Sequence, residues 1–382
     1  MKNVSIVKIV IALCCWSLSL MSSAQSSDLQ SVLETELKQH LQSSGLIGIG
    51  GVVIHNNTIQ ALASEGLRKK GSPETLTVND KWHLGSVTKS MTATVIARLV
   101  QKGLLSWEQN LDAIPSGEDS RHSDWNQVTL KHLLHHSSGA PANFSLSLLF
   151  SDDPETAEAL HKERLQAVQS ILSKATDSQA GTAFQYSNVG YTIAAALAEQ
   201  VSNKSWETLM QEELFDPLAL NSAGFGPPKD NSDGIDQPRG HKSIFGFKFS
   251  VPTTSDNPKV MGPAGNVHMN LSDLARYAQE HMKGARGESD YLETALYQEL
   301  HTAQLDSYAK GWVIKAHDPL ANGQVIWHNG SNTMWYCLLT LLPALDTAVA
   351  ITVNEGNIKK AESSAVEITR ALIKAMGHSS TH

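Results

Sequence analysis

The sequence predicts a mixed α/β fold in which one sheet is assembled from both ends of the chain around a helical insertion. Three observations point to it. Apolar runs with strand character lie near the start, at Leu46–Ile54 and Thr58–Ser64. Similar runs return in the last third, at Trp312–Lys315, Met334–Leu342 and Thr347–Val353. Between them, from Ser86 to Val201, the chain is mostly helical.

The elements follow in order. Ser27 to Leu41 reads as a helix, with Leu29, Leu33, Leu37 and Leu41 on one side and Ser27 with Gln30 as a capping box. His55-Asn56-Asn57 is turn chemistry and joins the first two strands into a hairpin. Gly71-Ser72-Pro73 breaks the chain before a helix from Ser86 to Lys102, closed by Gly103. Val128 to His136 is a short helix ended by Ser137-Ser138-Gly139-Ala140-Pro141, and Pro154–Lys174 and Gly190–Val201 are longer ones. Gly224 to Asn257, rich in Gly, Pro, Asp and Ser, reads as loop. Leu271 to Met282 is helix again, capped by Asn270 or Ser272. Asp318-Pro319 and Pro343-Ala344 mark turns between the late strands. A closing helix sets Ala365, Ile368, Leu372 and Met376 on one face, with Gly377 beyond its end. No internal repeat is present.

The bulk properties narrow the class. The chain has 382 residues and opens with Lys2 and Lys8, an apolar stretch from Ile9 to Met21, and Ser22-Ser23-Ala24. That is the layout of a secretory signal peptide over residues 1–24, cleaved near Ala24, so a secreted or periplasmic protein is expected. The apolar stretch is short for a membrane span of about 20 residues, so no stable span is expected after cleavage. Leu13 before Cys14 disfavours a lipoprotein site. The net charge is −8, or about −10 once the two leader lysines are gone. No Lys/Arg run is dense enough for nucleic acid. Cys14 and Cys15 leave with the leader. Cys337, alone in an apolar run, reads as a buried thiol with no disulfide partner.

The chemistry begins at Ser86-Val87-Thr88-Lys89. Serine and lysine three apart at the start of a helix share a face, about 5–6 Å between Cβ atoms. Serine needs a neighbouring base to become a nucleophile, and an amine can supply one. The positive end of the helix dipole disfavours a protonated lysine there and favours negative charge near Ser86. Ser-x-x-Lys also occurs at Ser5–Lys8, inside the leader, and at Ser307–Lys310, which reads as the beginning of a strand where the two side chains point apart. Only the middle copy opens a helix.

Two further segments carry candidate groups. Tyr186-Ser187-Asn188 is the one Tyr-x-Asn of the sequence and precedes a helix. Its phenol can act as a base if a cation such as Lys89 lowers its pKa from about 10. Asn188 both donates and accepts, which suits holding a substrate or a lysine. His328-Asn329-Gly330 precedes the strand around Trp335, with a glycine that lets a substrate approach the strand edge. The N–H of Ser331 is then a candidate oxyanion donor beside that of Ser86. His132 and His136 have metal-ligand spacing, but Leu133 stands where a zincin needs glutamate and no carboxylate is close in sequence; no metal and no cofactor is expected. Gly-x-Ser-x-Gly, Walker and Rossmann fingerprints do not occur.

In the order Ser86-x-x-Lys89, Tyr186-x-Asn188, His328-x-Gly330, the chain resembles the class C β-lactamase and penicillin-binding-protein-like serine hydrolases. The blocks Lys81–Lys89, Val128–Gly139, Phe184–Tyr191 and Pro263–Ala275 resemble the same family and spread the likeness over nearly the whole mature chain. The resemblance implies an antiparallel sheet flanked by helices, from 25–80 and 258–382, and an all-helical domain, 81–257, with the site in the cleft between. It implies Ser86 as acylated nucleophile, Lys89 and Tyr186 sharing acid/base work, Asn188 positioning, and the His328 segment lining the edge. Lactamases and peptidases of that fold usually carry Lys-Thr-Gly at the third motif, to meet a substrate carboxylate. His328, only partly charged near pH 7, and Asn329 resemble instead the branch of esterases and D-amino-acid-releasing peptidases. Asn266 stands where a second glycine is frequent. The expected function is hydrolysis of an ester or amide in a small molecule or short peptide through a Ser86 acyl-enzyme. The alternatives are a true β-lactamase or D,D-peptidase, and a non-catalytic module that binds cell-wall fragments.

Overall fold

The structure, a computed structural model, describes residues 28–149, 153–231 and 233–378. Helix α1 (28–44) leads into strands β1 (Gly48–His55), β2 (Thr58–Gly66) and β3 (Lys81–His83). Helices α2 (Thr88–Gln101), α3 (Leu130–Leu134), α4 (Leu146–Leu149), α5 (Ala157–Leu172), α6 (Asn188–Ser202) and α7 (Trp206–Met210) follow. Next come β4 (Gly224–Phe225), β5 (His241–Ile244), β6 (Phe247–Ser250), α8 (Gly262–Gly265), β7 (Val267–Asn270), α9 (Leu271–Arg286) and α10 (Thr294–Leu300). The chain ends with β8 (Val313–Asp318), β9 (Gly323–Ser331), β10 (Tyr336–Leu342), β11 (Thr347–Val353) and α11 (Ile358–His378).

Strands from both chain ends form one antiparallel sheet in the order β2-β1-β11-β10-β9-β8. They meet where Ile49 pairs with Val353 and His55 with Thr347. Asn56 and Asn57, at φ 50° and 59°, make the two-residue turn that suits the twist of the first hairpin. Period-2 alternation sends side chains to two cores. Ile49, Val53, Leu338 and Ile351 meet Leu29, Leu33 and Leu37 of α1 and Ala365, Ile368 and Leu372 of α11. Val52, Cys337, Leu339 and Ala350 meet α9 and the helical middle of the chain in a second, larger core. Each fully buried leucine contributes about 1.5–3 kcal/mol. Cys337 is buried and free, as expected. None of the described helices is long and apolar enough to cross a membrane.

Several expectations need correction. Ser27, and with it the capping box, and the leader lie outside the described residues; Gln30 exchanges hydrogen bonds with the Leu62 backbone of β2. The 224–257 stretch is not only loop: it holds β4 and the β5–β6 hairpin, whose period-2 pattern is short and set among turn residues. Ser307–Lys310 does not begin a strand. Asp306 and Ser307 sit at positive φ in a 3₁₀ turn, and Lys310 pairs with Glu299 at 2.8 Å. β9 is a strand beyond those set out above; His328–Ser331 form its end and precede β10, as expected. Asn270 is the cap of α9, accepting from the Asp273 N–H. Gly377 lies within α11 rather than past it.

Candidate active site

Ser86 sits in a 3₁₀ turn, Gly85–Val87, that bends directly into α2. The turn is held to the body by the Leu84 N–H on the Val267 carbonyl and by Thr88 Oγ1 accepting from the Val267 N–H. One turn on, Lys89 is fully buried. Its Nζ lies 3.1 Å from Ser86 Oγ, 2.7 Å from Asn188 Oδ1 and 2.7 Å from the Ala264 carbonyl of α8. Burial pushes the amine well below the ordinary lysine value, and no carboxylate among the described residues offsets it. A neutral amine has two N–H donors and one lone pair. The two carbonyl oxygens take the donors, which leaves the lone pair facing the Ser86 hydroxyl. The lowering expected from the helix dipole is thus present, but its cause is burial.

Asn188 is the first residue of α6, and the loop before it is pinned on three sides. The Ser187 hydroxyl donates to the Pro141 carbonyl and accepts from the Gly190 N–H, the Asn188 N–H donates to the Ala142 carbonyl, and Asn188 Nδ2 donates to Asn143 Oδ1. This orientation aims Oδ1 at Lys89. Tyr186 hydrogen-bonds Ser86, and its ring lies 4.7 Å from Lys89 Nζ. His136, at φ 57°, supports that ring at 4.3 Å and accepts the Ser187 N–H on Nδ1. Two segments far apart in sequence thus converge on one hydroxyl.

A family model described as beta-lactamase matches residues 33–372. The chain belongs to the beta-lactamase family. The unguisins hydrolase of Aspergillus campestris is 24% identical over 303 residues, covering 74% of this chain and 53% of its own length, so the chain spans about half of that relative. Penicillin-binding protein 4 of Amycolatopsis lactamdurans is 24% identical over 324 residues and 81% of both chains. Among solved structures, the octameric penicillin-binding protein homologue from Pyrococcus abyssi superposes with a TM-score of 0.73 at 21% identity, covering 90% of this chain and 77% of that one. The D-amino acid amidase from Ochrobactrum anthropi SV3 gives 0.74 at 17% identity, covering 93% and 100%. These likenesses give the family's fold, an antiparallel sheet with helices around it.

This beta-lactamase-family member closes its cleft with the end of β9. Beyond Trp327 that strand has no β8 partner, so His328–Ser331 borders the Ser86 turn instead. The backbones touch: a Cβ on Gly330 would lie 2.1 Å from the Leu84 carbonyl oxygen and 2.4 Å from the Ser86 nitrogen. A Cβ on Gly85, which is at φ 52°, would lie 2.3 Å from the Ser331 nitrogen. Only glycine fits at either place. Ser86, Tyr186, His328, Gly330 and Ser331 line one cleft of ≈ 340 Å³, with Phe184, Val313 and Ile358 as apolar wall.

His328 corrects an expectation. It is 2% exposed, and burial holds its imidazole down to about 3. Nδ1–H donates to the Asn329 carbonyl at 2.5 Å, and Nε2 accepts from Tyr308 Oη at 2.9 Å. The ring is therefore neutral at pH 7 and offers a carboxylate nothing. Tyr186 is corrected too. Desolvation raises its phenol above the ordinary value, the Ser86 hydrogen bond pulling the other way, so Lys89 does not create a phenolate.

Sequence reasoning missed three contributors. Tyr308 orders His328. Ala264 fixes Lys89 through a backbone oxygen, which no side-chain motif reveals. Asp256, 7% exposed at its side chain, accepts from His83 Nε2 at 2.9 Å and from Asn332 Nδ2 at 2.8 Å. His83 Nδ1 in turn accepts the Gly85 N–H at 3.2 Å, so one carboxylate spans the segments next to Ser86 and Ser331. The two histidines with metal-ligand spacing have other duties: His132 Nδ1 accepts the Thr129 N–H at the start of α3, and His136 Nδ1 accepts the Ser187 N–H. Asn266 reaches the Gly226 N–H, tying β4 to the segment after α8.

Proposed function

We propose that the chain is a serine hydrolase that cleaves an ester or amide of a small molecule or short peptide through a covalent Ser86 intermediate. The observation that carries the reading is the Lys89 amine, buried and held well below its ordinary pKa by that burial, 3.1 Å from the Ser86 hydroxyl. Ser86 Oγ attacks the acyl carbon while its proton passes to Lys89 Nζ. The carbonyl oxygen, now an anion, takes the N–H groups of Ser86 and Ser331. Collapse of that intermediate expels the alcohol or amine, which receives the proton back from Lys89 by way of the Tyr186 hydroxyl. Water then enters, the same groups run in reverse, and the acid leaves. With its pKa raised, Tyr186 relays protons rather than holding a negative charge. The residues present supply nucleophile, base and oxyanion donors from the chain itself, without a cofactor.

The neutral His328 decides between substrates. None of the described residues that line the cleft is a fixed cation able to meet a carboxylate, which disfavours β-lactams and D-Ala termini against neutral esters and amides. The fold shared with a D-amino acid amidase and the likeness to an unguisins hydrolase support amides of amino acids and short peptides as the narrower class. A cleaved leader at 1–24 delivers the enzyme to the periplasm or beyond. Turnover of a short-chain nitrophenyl ester and of a chromogenic cephalosporin by the purified protein tests the reading. The ester is the faster by at least about tenfold. Faster cephalosporin turnover by orders of magnitude makes the protein a β-lactamase, and no turnover of either, with no labelling by an active-site phosphonate, makes it a binding module.

A further inference from the structure

We propose that the β5–β6 hairpin is a docking element for an anionic phospholipid surface. In its register Lys242 pairs with Phe249, Ser243 with Lys248 and Ile244 with Phe247. Directly opposed residues of a ribbon share a face. Lys242, Ile244, Phe247 and Phe249 therefore share one face, and Phe245-Gly246 forms the tip. The apolar face is the outer one: Ile244 is 49% exposed, Phe245 97%, Phe247 77% and Phe249 43%. The polar face turns inward, where His241 is buried against the Asn354 carbonyl and Lys248 pairs with Glu355 at 2.7 Å. This is the reverse of the pattern that folding favours.

The tip is unfavourable on folding grounds as well. Phe245 stands at φ 49°, a conformation that turns normally give to Asn or Gly, and it packs on nothing that would offset it. Four large apolar side chains gathered in six residues mark a contact surface.

The charges around the hairpin select the partner. Lys69, Lys70 and Lys248 lie close enough to His241 to act on its imidazole, Lys70 Nζ donates to the Lys248 carbonyl at 3.1 Å, and Lys242 adjoins Phe249. Lys69, Lys70 and Lys242 form no salt bridge within 4 Å among the described residues, Lys69 acting on the Glu74 carboxylate only from farther off, in a chain whose net charge is −8. Lysine is depleted at protein interfaces, whereas lysines around an apolar prow attract anionic lipid headgroups while the aromatics enter the acyl boundary. A two-fold contact with a second copy would set one lysine collar against the other.

The test is co-sedimentation of the mature chain with vesicles of phosphatidylcholine containing about 30% phosphatidylglycerol, and with pure phosphatidylcholine. Wild type binds the anionic vesicles and releases as salt rises. Phe245→Ser/Phe247→Ser and, separately, Lys69→Gln/Lys70→Gln/Lys242→Gln each weaken binding about tenfold or more, with melting temperature and ester turnover unchanged. All three proteins are compared in their mature form, without the leader at 1–24, so residues 9–21 contribute nothing to the binding. Equal binding by wild type and the double phenylalanine variant overturns the proposal. So does a wild-type dimer that becomes monomeric in that variant while neither protein binds vesicles; the patch is then a self-association surface.

Discussion

Lys89 Nζ stands 3.1 Å from Ser86 Oγ, and its other two polar neighbours, the Asn188 and Ala264 oxygens, are acceptors only in this geometry. That leaves the amine's lone pair for the serine. Replacing Lys89 with alanine should slow acylation about 10²-fold or more, measured with an active-site phosphonate. Tyr186→Phe should cost less in acylation than Lys89→Ala. Labelling of Lys89→Ala at the wild-type rate transfers the role of base to Tyr186.

The pH profile follows from the same contact. The neutral amine is the working form, and burial depresses its pKa, so acylation rises with pH through that lowered value and then levels. Protonation at lower pH fills the lone pair and stops the reaction. A profile that climbs only near the ordinary lysine value contradicts a buried, neutral Lys89.

Gly330→Ala probes the junction between β9 and the Ser86 turn. The added methyl would meet the Leu84 oxygen at 2.1 Å and the Ser86 nitrogen at 2.4 Å, both backbone atoms. The strand must withdraw, taking the Ser331 N–H with it. Turnover should fall about 10²–10³-fold, the usual cost of an oxyanion donor, with KM much less affected. Wild-type kcat in a folded Gly330→Ala protein excludes the Ser331 N–H from the site.

Asp256 is a positioning residue by its contacts with His83 and Asn332. An asparagine there has one acceptor oxygen for two donors, so Asp256→Asn breaks one side of the clamp. Expected is a fall in kcat of about tenfold or more at nearly constant KM, because the donors act on the transition state. A fall in melting temperature with unchanged kcat reduces Asp256 to a purely structural role.

Stability should depend on pH through the buried imidazoles. Burial holds His328 near 3 and His135, His241, His268 and His301 near 4. In the unfolded chain each titrates near its ordinary value of about 6.5. The unfolded state then binds more protons below that value, so stability is full above about pH 6.5 and drains as pH falls toward 4. Melting curves between pH 4 and 8 check this; a flat melting temperature from pH 7 to 5 contradicts it.

What could be read from the sequence was local or strongly patterned. The Asn56-Asn57 turn, the leucine stripe of α1 and the Ser86–Lys89 spacing each contain their own signal within a few residues. The pairing of Tyr186 with Ser86 was legible through motif order. The charge on His328 was not, because its neutrality comes from burial, which no local pattern records, and the ring's partner Tyr308 lies twenty positions away in sequence. Asp256 was hidden for the same reason: its partners lie on β3 and after β9, and it sits in a stretch that reads as loop. The β5–β6 hairpin escaped notice because its apolar residues face outward, so no amphipathic pattern tied them to a core.

The central claim is that Ser86 becomes covalently acylated. Intact-mass analysis after exposure to a fluorophosphonate or a slowly hydrolysed nitrophenyl ester, followed by peptide mapping, measures it directly. The account predicts one adduct per chain, on Ser86, and none on a Ser86→Ala protein that melts at nearly the wild-type temperature. An adduct on another residue, or wild-type turnover by Ser86→Ala, contradicts it.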